Sequence, residues 1–186
     1  MPLSAPDSRR EIHHRLIDMK AYAREDGLYD VEGHLRDSKP FDFERPLSAE
    51  PTPAGEAMHD LWIRMTVDSA FVVRKIEASS DVTPFGICKE AESTLSVLLG
   101  EKIARGWSAV VKERLRGAAS CTHLMEMLIP MGTTALQGVR ALNVGKYHAE
   151  VNQDGLPLKI DSCYAFGRER EVVMKMYPQH YRRPNP

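Results

Sequence analysis

The sequence predicts an α+β fold: an antiparallel β-meander, then helices packed on one face of the sheet, with a C-terminal β-hairpin. Three observations carry that prediction. Polar and apolar residues alternate through the first half, the apolar period lengthens from two to about 3.6 after Thr83, and strand and helix signals come in blocks. Because the two kinds of element do not take turns, a parallel α/β sheet is disfavoured. Residues 1–186 read as a single domain, with 1–9 and 179–186 as flexible ends.

The elements follow in order. Residues 10–20 mix Ile12, Leu16, Ile17 and Met19 with His13, His14 and Arg15, a strand signal, and Arg24-Glu25-Asp26-Gly27 supplies a turn. Residues 28–37 put Tyr29, Val31 and Leu35 on one face, with Gly33 between them, and Asp30, Glu32, His34 and Arg36 on the other. Pro40, Pro46, Pro51 and Pro53 then make a loop. Residues 59–67 alternate again, Asp68-Ser69 turns the chain, and 71–78 return as the hairpin partner. Thr83-Pro84 is a helix-start signal for a segment with Leu95, Leu98, Leu99 and Ile103 on its apolar face, interrupted by Gly100 and Gly106. A second helix carries Trp107, Val110, Val111 and Leu115 and is closed by Gly117. A third begins near Ser120-Cys121-Thr122-His123, bends or restarts at Pro130, and runs to Leu142. Residues 158–166 and 172–177 are the expected terminal hairpin.

Composition narrows the function classes. With 42% hydrophobic and 27% charged residues, the chain has the make-up of a globular protein. Its 25 basic and 26 acidic residues lack the excess of positive charge that marks a nucleic-acid binder. Cys88, Cys121 and Cys163 form no Cys-x-x-Cys pair, which points to a reducing compartment. No segment approaches the roughly 18 apolar residues of a membrane span, and the first ten residues hold no signal-type run. The expected setting is therefore cytoplasmic, with neither nucleic acid nor membrane as partner.

No dinucleotide fingerprint, phosphate loop, nucleophile elbow or His-Glu-x-x-His is present. The densest chemical cluster is Ser120-Cys121-Thr122-His123. At a helix N-terminus, unpaired N–H groups stabilise a thiolate and bind anionic groups. Cys121 and His123 are also of ligand types that Zn²⁺ or Fe accept, with His59, Asp60 and Asp81 available to complete a set, or else a buried thiol and a core histidine. His59 and Asp60 point to opposite faces of their strand. Asp60, Trp62 and Arg64 share a face that is either a pocket with a stacking surface and an anion partner or a solvated surface. The Asp30, Glu32, His34, Arg36 stripe is open in the same way. Lys39 precedes a proline-fixed turn and suits a carboxylate or phenolate, and Tyr164 offers a phenol as general acid or as an anchor.

Residues 24–40 (Arg-Glu-Asp-Gly-Leu-Tyr-Asp-Val-Glu-Gly-His-Leu-Arg-Asp-Ser-Lys-Pro), 59–68 (His-Asp-Leu-Trp-Ile-Arg-Met-Thr-Val-Asp), Gly106-Trp107 and 120–124 (Ser-Cys-Thr-His-Leu) together resemble the bacterial family known as domain of unknown function 2889 (DUF2889). Ser120 stands where that family typically has Gly. The resemblance implies a setting in bacterial aromatic-compound catabolism, including lignin degradation. A fainter resemblance is to iron–sulfur scaffold proteins of the IscU type, which also run three strands before helices, with a cysteine opening a late helix. Their other cluster cysteines are matched here by Met58-His59-Asp60 and Ser80-Asp81-Val82. That likeness implies a pocket between sheet and helix reached by His59, Asp81, Cys121 and His123.

The leading expectation is a small acid/base enzyme without an organic cofactor, acting on a small aromatic molecule. In its concrete form it is a carbon–carbon lyase that releases formaldehyde from a lignin-derived phenolic. The catalytic candidates are His59, His123, Asp60, Cys121 and Tyr164, and the substrate-binding candidates Arg64, Lys39, Tyr29, Trp62 and Asp81. Alternatives are a Zn or Fe protein using His59, Asp81, Cys121 and His123, or a non-enzymatic interaction module. Either class is compatible with a homo-oligomer.

Overall fold

Four strands, β1 (His14–Ala23), β2 (Tyr29–Ser38), β3 (Ala57–Val67) and β4 (Val73–Val82), form one antiparallel sheet in sequence order. The computed structural model describes residues 3–144 and 150–184. Alternation sets the two faces. Val31, Leu35, Leu61, Ile63 and Met65 are buried on the side that meets the helices, while Trp62 and Arg64 are exposed on the other. The β1–β2 turn uses Gly27 at φ 81°, a conformation that costs glycine no Cβ clash.

β4 starts two residues later than the alternation suggests, because Phe71 and Val72 belong to the turn. The Asp68 carboxylate accepts from the N–H groups of Ala70 (2.9 Å) and Val72 (3.0 Å), and its carbonyl accepts from Phe71 N–H (2.9 Å). An aspartate at this position competes well for turn N–H groups, which holds Phe71 at φ 64°.

The first predicted helix takes a different form: residues Gly86–Leu98 wind as 3₁₀ turns. Ser93, Thr94 and Ser96 each donate a hydroxyl to the carbonyl three residues back, at 3.0, 2.7 and 2.9 Å, a local bonding pattern that competes with regular α-helix. Thr83 does not cap this segment; its hydroxyl donates to Phe85 O at 2.9 Å. Leu95, Leu98 and Ile103 are buried as expected, whereas Leu99 is exposed.

Helix α1 (Trp107–Leu115) is followed by Gly117 at φ 64°, the left-handed residue expected after a helix end. Helix α2 (Thr122–Leu142) passes through Pro130 without ending. The two helices meet closely: a Cβ at Gly132 would lie 2.5 Å from Trp107 Cδ1, and Trp107 Nε1–H donates to Leu128 O at 2.8 Å. α2 lies over β1 and β2, where a Cβ on Gly33 would meet Met131 Sδ at 3.0 Å and one on Gly138 would meet Ala21 Cβ at 2.9 Å. Ser120 ties the start of α2 to the 3₁₀ segment through a 2.7 Å hydroxyl bond with Thr94.

The chain divides into two units, residues 1–139 and 140–186. In the second, Ile160, Val173 and Tyr177 are buried together, with Leu156, Phe166 and Tyr181 packed around them. The expected terminal hairpin is not formed among the described residues. Residues 158–166 are turns and a 3₁₀ turn (Tyr164–Phe166), and the second predicted strand is a short helix, Glu171–Met176. Its apolar pairs do not alternate strictly, and one helical turn buries Val173 and brings Tyr177 over it, with the Tyr177 N–H bonded to Val173 O at 2.8 Å. No helix among the described residues is long and apolar enough to cross a membrane. The expected flexible ends fall in part on residues 1, 2, 185 and 186, outside the described residues.

Candidate functional site

One cross-strand row departs from the apolar pattern of the helix-facing side. Arg15, Asp37 and His59 stand directly opposite one another on β1, β2 and β3. Each continues an inward series: Asp37 follows Val31, Gly33 and Leu35, and His59 precedes Leu61, Ile63 and Met65. Asp37 is 1% exposed and His59 8%. The start of α2 closes over this row and adds Cys121, His123 and Glu126.

A buried carboxylate is unfavourable unless ionic and hydrogen-bonding partners compensate it, and Asp37 has several. Arg15 grips it bidentately, Nε to Oδ1 at 2.7 Å and Nη2 to Oδ2 at 2.8 Å. His59 Nδ1 lies 3.1 Å from Oδ2, His13 Nε2 3.5 Å from Oδ1 and His123 Nε2 3.8 Å from Oδ2. Arg15 also reaches Glu126 at 3.5 Å. The His59 and His123 rings are 4.0 Å apart between centroids. Cys121 Sγ is 3.9 Å from His123 Nδ1.

These contacts shift the titrating groups in a consistent way. Burial works to raise the Asp37 carboxyl, but Arg15, then His59 and His13, outweigh it and hold the group below the ordinary carboxylate range. For His59, burial and the neighbouring His123 outweigh the pull of Asp37, so its imidazolium is disfavoured. Burial likewise works to raise the Cys121 thiol, yet the His123 side chain and the N–H groups of Leu124 and His123 bring it below its usual value. The result is an ionised carboxylate, a neutral oriented imidazole and a thiol that ionises more readily than usual within one cluster. With Nδ1–H donating to Asp37, His59 carries its lone pair on Nε2.

The structure thus brings together His59, His123 and Cys121 and leaves the other candidates elsewhere. Asp60 lies on the opposite face, where its Oδ1 is 2.7 Å from His34 Nε2, and the His34 ring stacks on Trp62 at 3.8 Å. Arg64 is on that face too, bound to Glu32 (2.7 Å) and Glu77 (3.2 Å). A 350 Å³ cavity there is lined by Trp62, Arg64, Glu32, Glu77, Ala78 and Ser79. Lys39 sits in the loop after β2, its ammonium 5.5 Å from the Phe43 ring centre. Tyr29 packs against the core at the far end of β2, opposite Val67. Asp81 is exposed and accepts from Ser79 Oγ at 2.6 Å; it is the extra residue where Asp60 pairs with Val82 but Leu61 with Ser80. Tyr164 is exposed in the second unit, under the guanidinium of Arg170. Asp37 and Arg15 were not among the candidates, although a charged residue on the apolar side of an alternating strand is a readable sign of a buried polar site.

This sheet-and-helix unit with a polar row at one end coincides with a sequence family. Residues 13–137 match the family described as a protein of unknown function (DUF2889), and the chain belongs to it. The matched span contains every residue of the Asp37 cluster. No curated protein and no solved structure matches the chain, so the likeness to iron–sulfur scaffold proteins gains no support.

Proposed function

We propose that the chain is a small acid/base enzyme whose centre is the Asp37–His59–His123–Cys121 cluster, and that it releases an aldehyde from a small phenolic molecule by cleaving a carbon–carbon bond. The observation that carries this reading is the 3.1 Å contact between buried Asp37 and His59 Nδ1, which fixes the tautomer needed for a base at Nε2. In the reaction, His59 takes the proton of a hydroxymethyl group. The C–C electron pair moves onto the ring-conjugated carbon, formaldehyde leaves, and the proton taken up by His59 passes through His123 to that carbon, which restores both side chains. His123, more exposed than His59, is the side from which substrate reaches the pair. The phenolic substrate and the catabolic setting rest on the family resemblance, and the free cysteines support a cytoplasmic location.

The test is formaldehyde release from hydroxymethyl-bearing phenolics by the wild-type chain and by His59→Gln and His123→Gln. Turnover is expected to fall about 10²-fold or more in each variant. Undiminished turnover in both would overturn the assignment.

One observation favours a second reading, a metal centre. Asp37, His59 and His123 each offer a donor atom, all within 4.8 Å of one another; donors around a tetrahedral ion bound at about 2.0–2.2 Å lie roughly 3.3–3.6 Å apart, so binding would draw the three inward. Asp37 here takes the part that the sequence suggested for Asp81. Elemental analysis separates the readings: about one equivalent of Zn or Fe per chain, lost on His123→Ala, favours the metal.

A further inference from the structure

The two edges of the sheet differ. On the outer side of β4, Val73 N–H donates to Glu101 O (2.9 Å) and Val73 O accepts from Gly100 N–H (2.9 Å). Val72 bridges to Lys102, and Ser80 N–H donates to the Glu92 carboxylate at 2.7 Å. Within the described residues of the first unit, nothing comparable covers β1. Its ten residues pair with β2 in an unbroken register, and all but Met19 are exposed. Leu16, Ile17 and Tyr22 are among the exposed large side chains. A long, regular edge that carries apolar side chains is a template for another strand, and β1 has no proline, bulge or short length to prevent it.

We propose that β1 pairs antiparallel with β1 of a second copy about a two-fold axis at Met19, joining two sheets into one. The charges select this register. In an antiparallel pair, residues directly opposite point to the same face, so a two-fold axis normal to the sheet passes through a residue. With the axis at Met19, Asp18 faces Lys20 of the second copy, Lys20 faces its Asp18, Leu16 faces Tyr22, and Ile17 faces Ala21. Moving the axis to Asp18 sets two carboxylates opposite each other, and moving it to Lys20 sets two ammonium groups opposite each other. Like charges directly opposed destabilise a strand pair, so both neighbouring registers are disfavoured. Within one copy, Lys20 Nζ already holds Asp18 Oδ2 at 2.7 Å, with the two side chains 60% and 48% exposed. The same groups can therefore pair across the axis without leaving a buried partner behind.

The experiment is sedimentation equilibrium of the full chain, with a thermal melt to verify that each variant is folded. The wild type is expected to be a dimer. Asp18→Lys alone and Lys20→Asp alone each place two like-charged pairs across the axis, and each is expected to weaken dimerisation about tenfold to thirtyfold. An equimolar mixture of these two single variants restores opposite charges at both positions and is expected to form the heterodimer, as the double variant Asp18→Lys/Lys20→Asp is expected to form its own dimer. A monomeric wild type, single variants as dimeric as the wild type, or a mixture with no heterodimer would each overturn the proposal.

Discussion

Replacing Asp37 by Asn tests whether the polar row is a structural cost or a source of stability. The change keeps the shape and removes the charge that Arg15 grips at 2.7 and 2.8 Å. Removing one partner of a fully buried pair costs about 3–5 kcal/mol. Arg15 retains 34% exposure and can recover some hydration, so the figure is discounted to about 2–3 kcal/mol. At about 2–4 °C per kcal/mol for a chain of this size, the melting point is expected to fall by roughly 5–10 °C at pH 7. The sign of the pH dependence follows from the direction of the shift. Because the folded Asp37 sits below the ordinary carboxylate range, its contribution is complete above about pH 3.9 and is lost as the pH falls through its lower folded value. His59 acts in the same sense at higher pH: its folded value is lowered, so its contribution is complete above about pH 6.5 and is lost on acidification below that. Melting curves followed by circular dichroism at pH 7, 5 and 3 measure the effect. The gap between the two proteins should be narrower at the lowest pH than at pH 7, and equal melting points at pH 7, or a gap that does not change with pH, would refute the reasoning.

Two further outcomes are expected. Gly132→Ala would gain up to about 1 kcal/mol in an unobstructed helix, but here the methyl lies 2.5 Å from Trp107 Cδ1. A net loss of about 1–2 kcal/mol is expected in chemical denaturation, and a gain would show that α1 and α2 are not in tight contact. Alkylation of Cys121 by iodoacetamide, followed by mass spectrometry of its peptide, should have its pH midpoint below the ordinary value of about 8.5 and move upward on His123→Ala. A midpoint indifferent to His123 would contradict the contact at 3.9 Å.

Much of the sheet and of the helices after Gly106 could be read from the sequence because each buries one side chain in two, or one face in a turn, and that periodicity survives in the letters. The 3₁₀ segment was harder. Its Leu95 and Leu98 look helical, and only the hydroxyls of Ser93, Thr94 and Ser96, bonded to their own backbone, tighten it. The terminal segment is ambiguous for a related reason: short apolar runs such as that around Val173 suit one helical turn as well as a strand. Asp81 depends on a register shift between Asp60 and Leu61, and nothing in the residue types announces it. Asp37 was legible in principle. Its place in the series Val31, Gly33, Leu35 put it inside, but its partner Arg15 could be paired with it only once the alignment of β1 on β2 was known.

The row itself is assembled from far apart in the chain. Neighbouring strands close through local connections, whereas bringing His123 to His59 closes a loop whose entropy cost exceeds that of a tight turn by roughly 2 kcal/mol. That cost is met by the seating of α2, with Met131 on Gly33 and Gly132 against Trp107. A lesion in that seat, well away from Asp37, therefore thins the population of molecules that hold a complete cluster and leaves the chemistry of each complete one unaltered. Its kinetic mark is fewer competent molecules working at an unchanged pace.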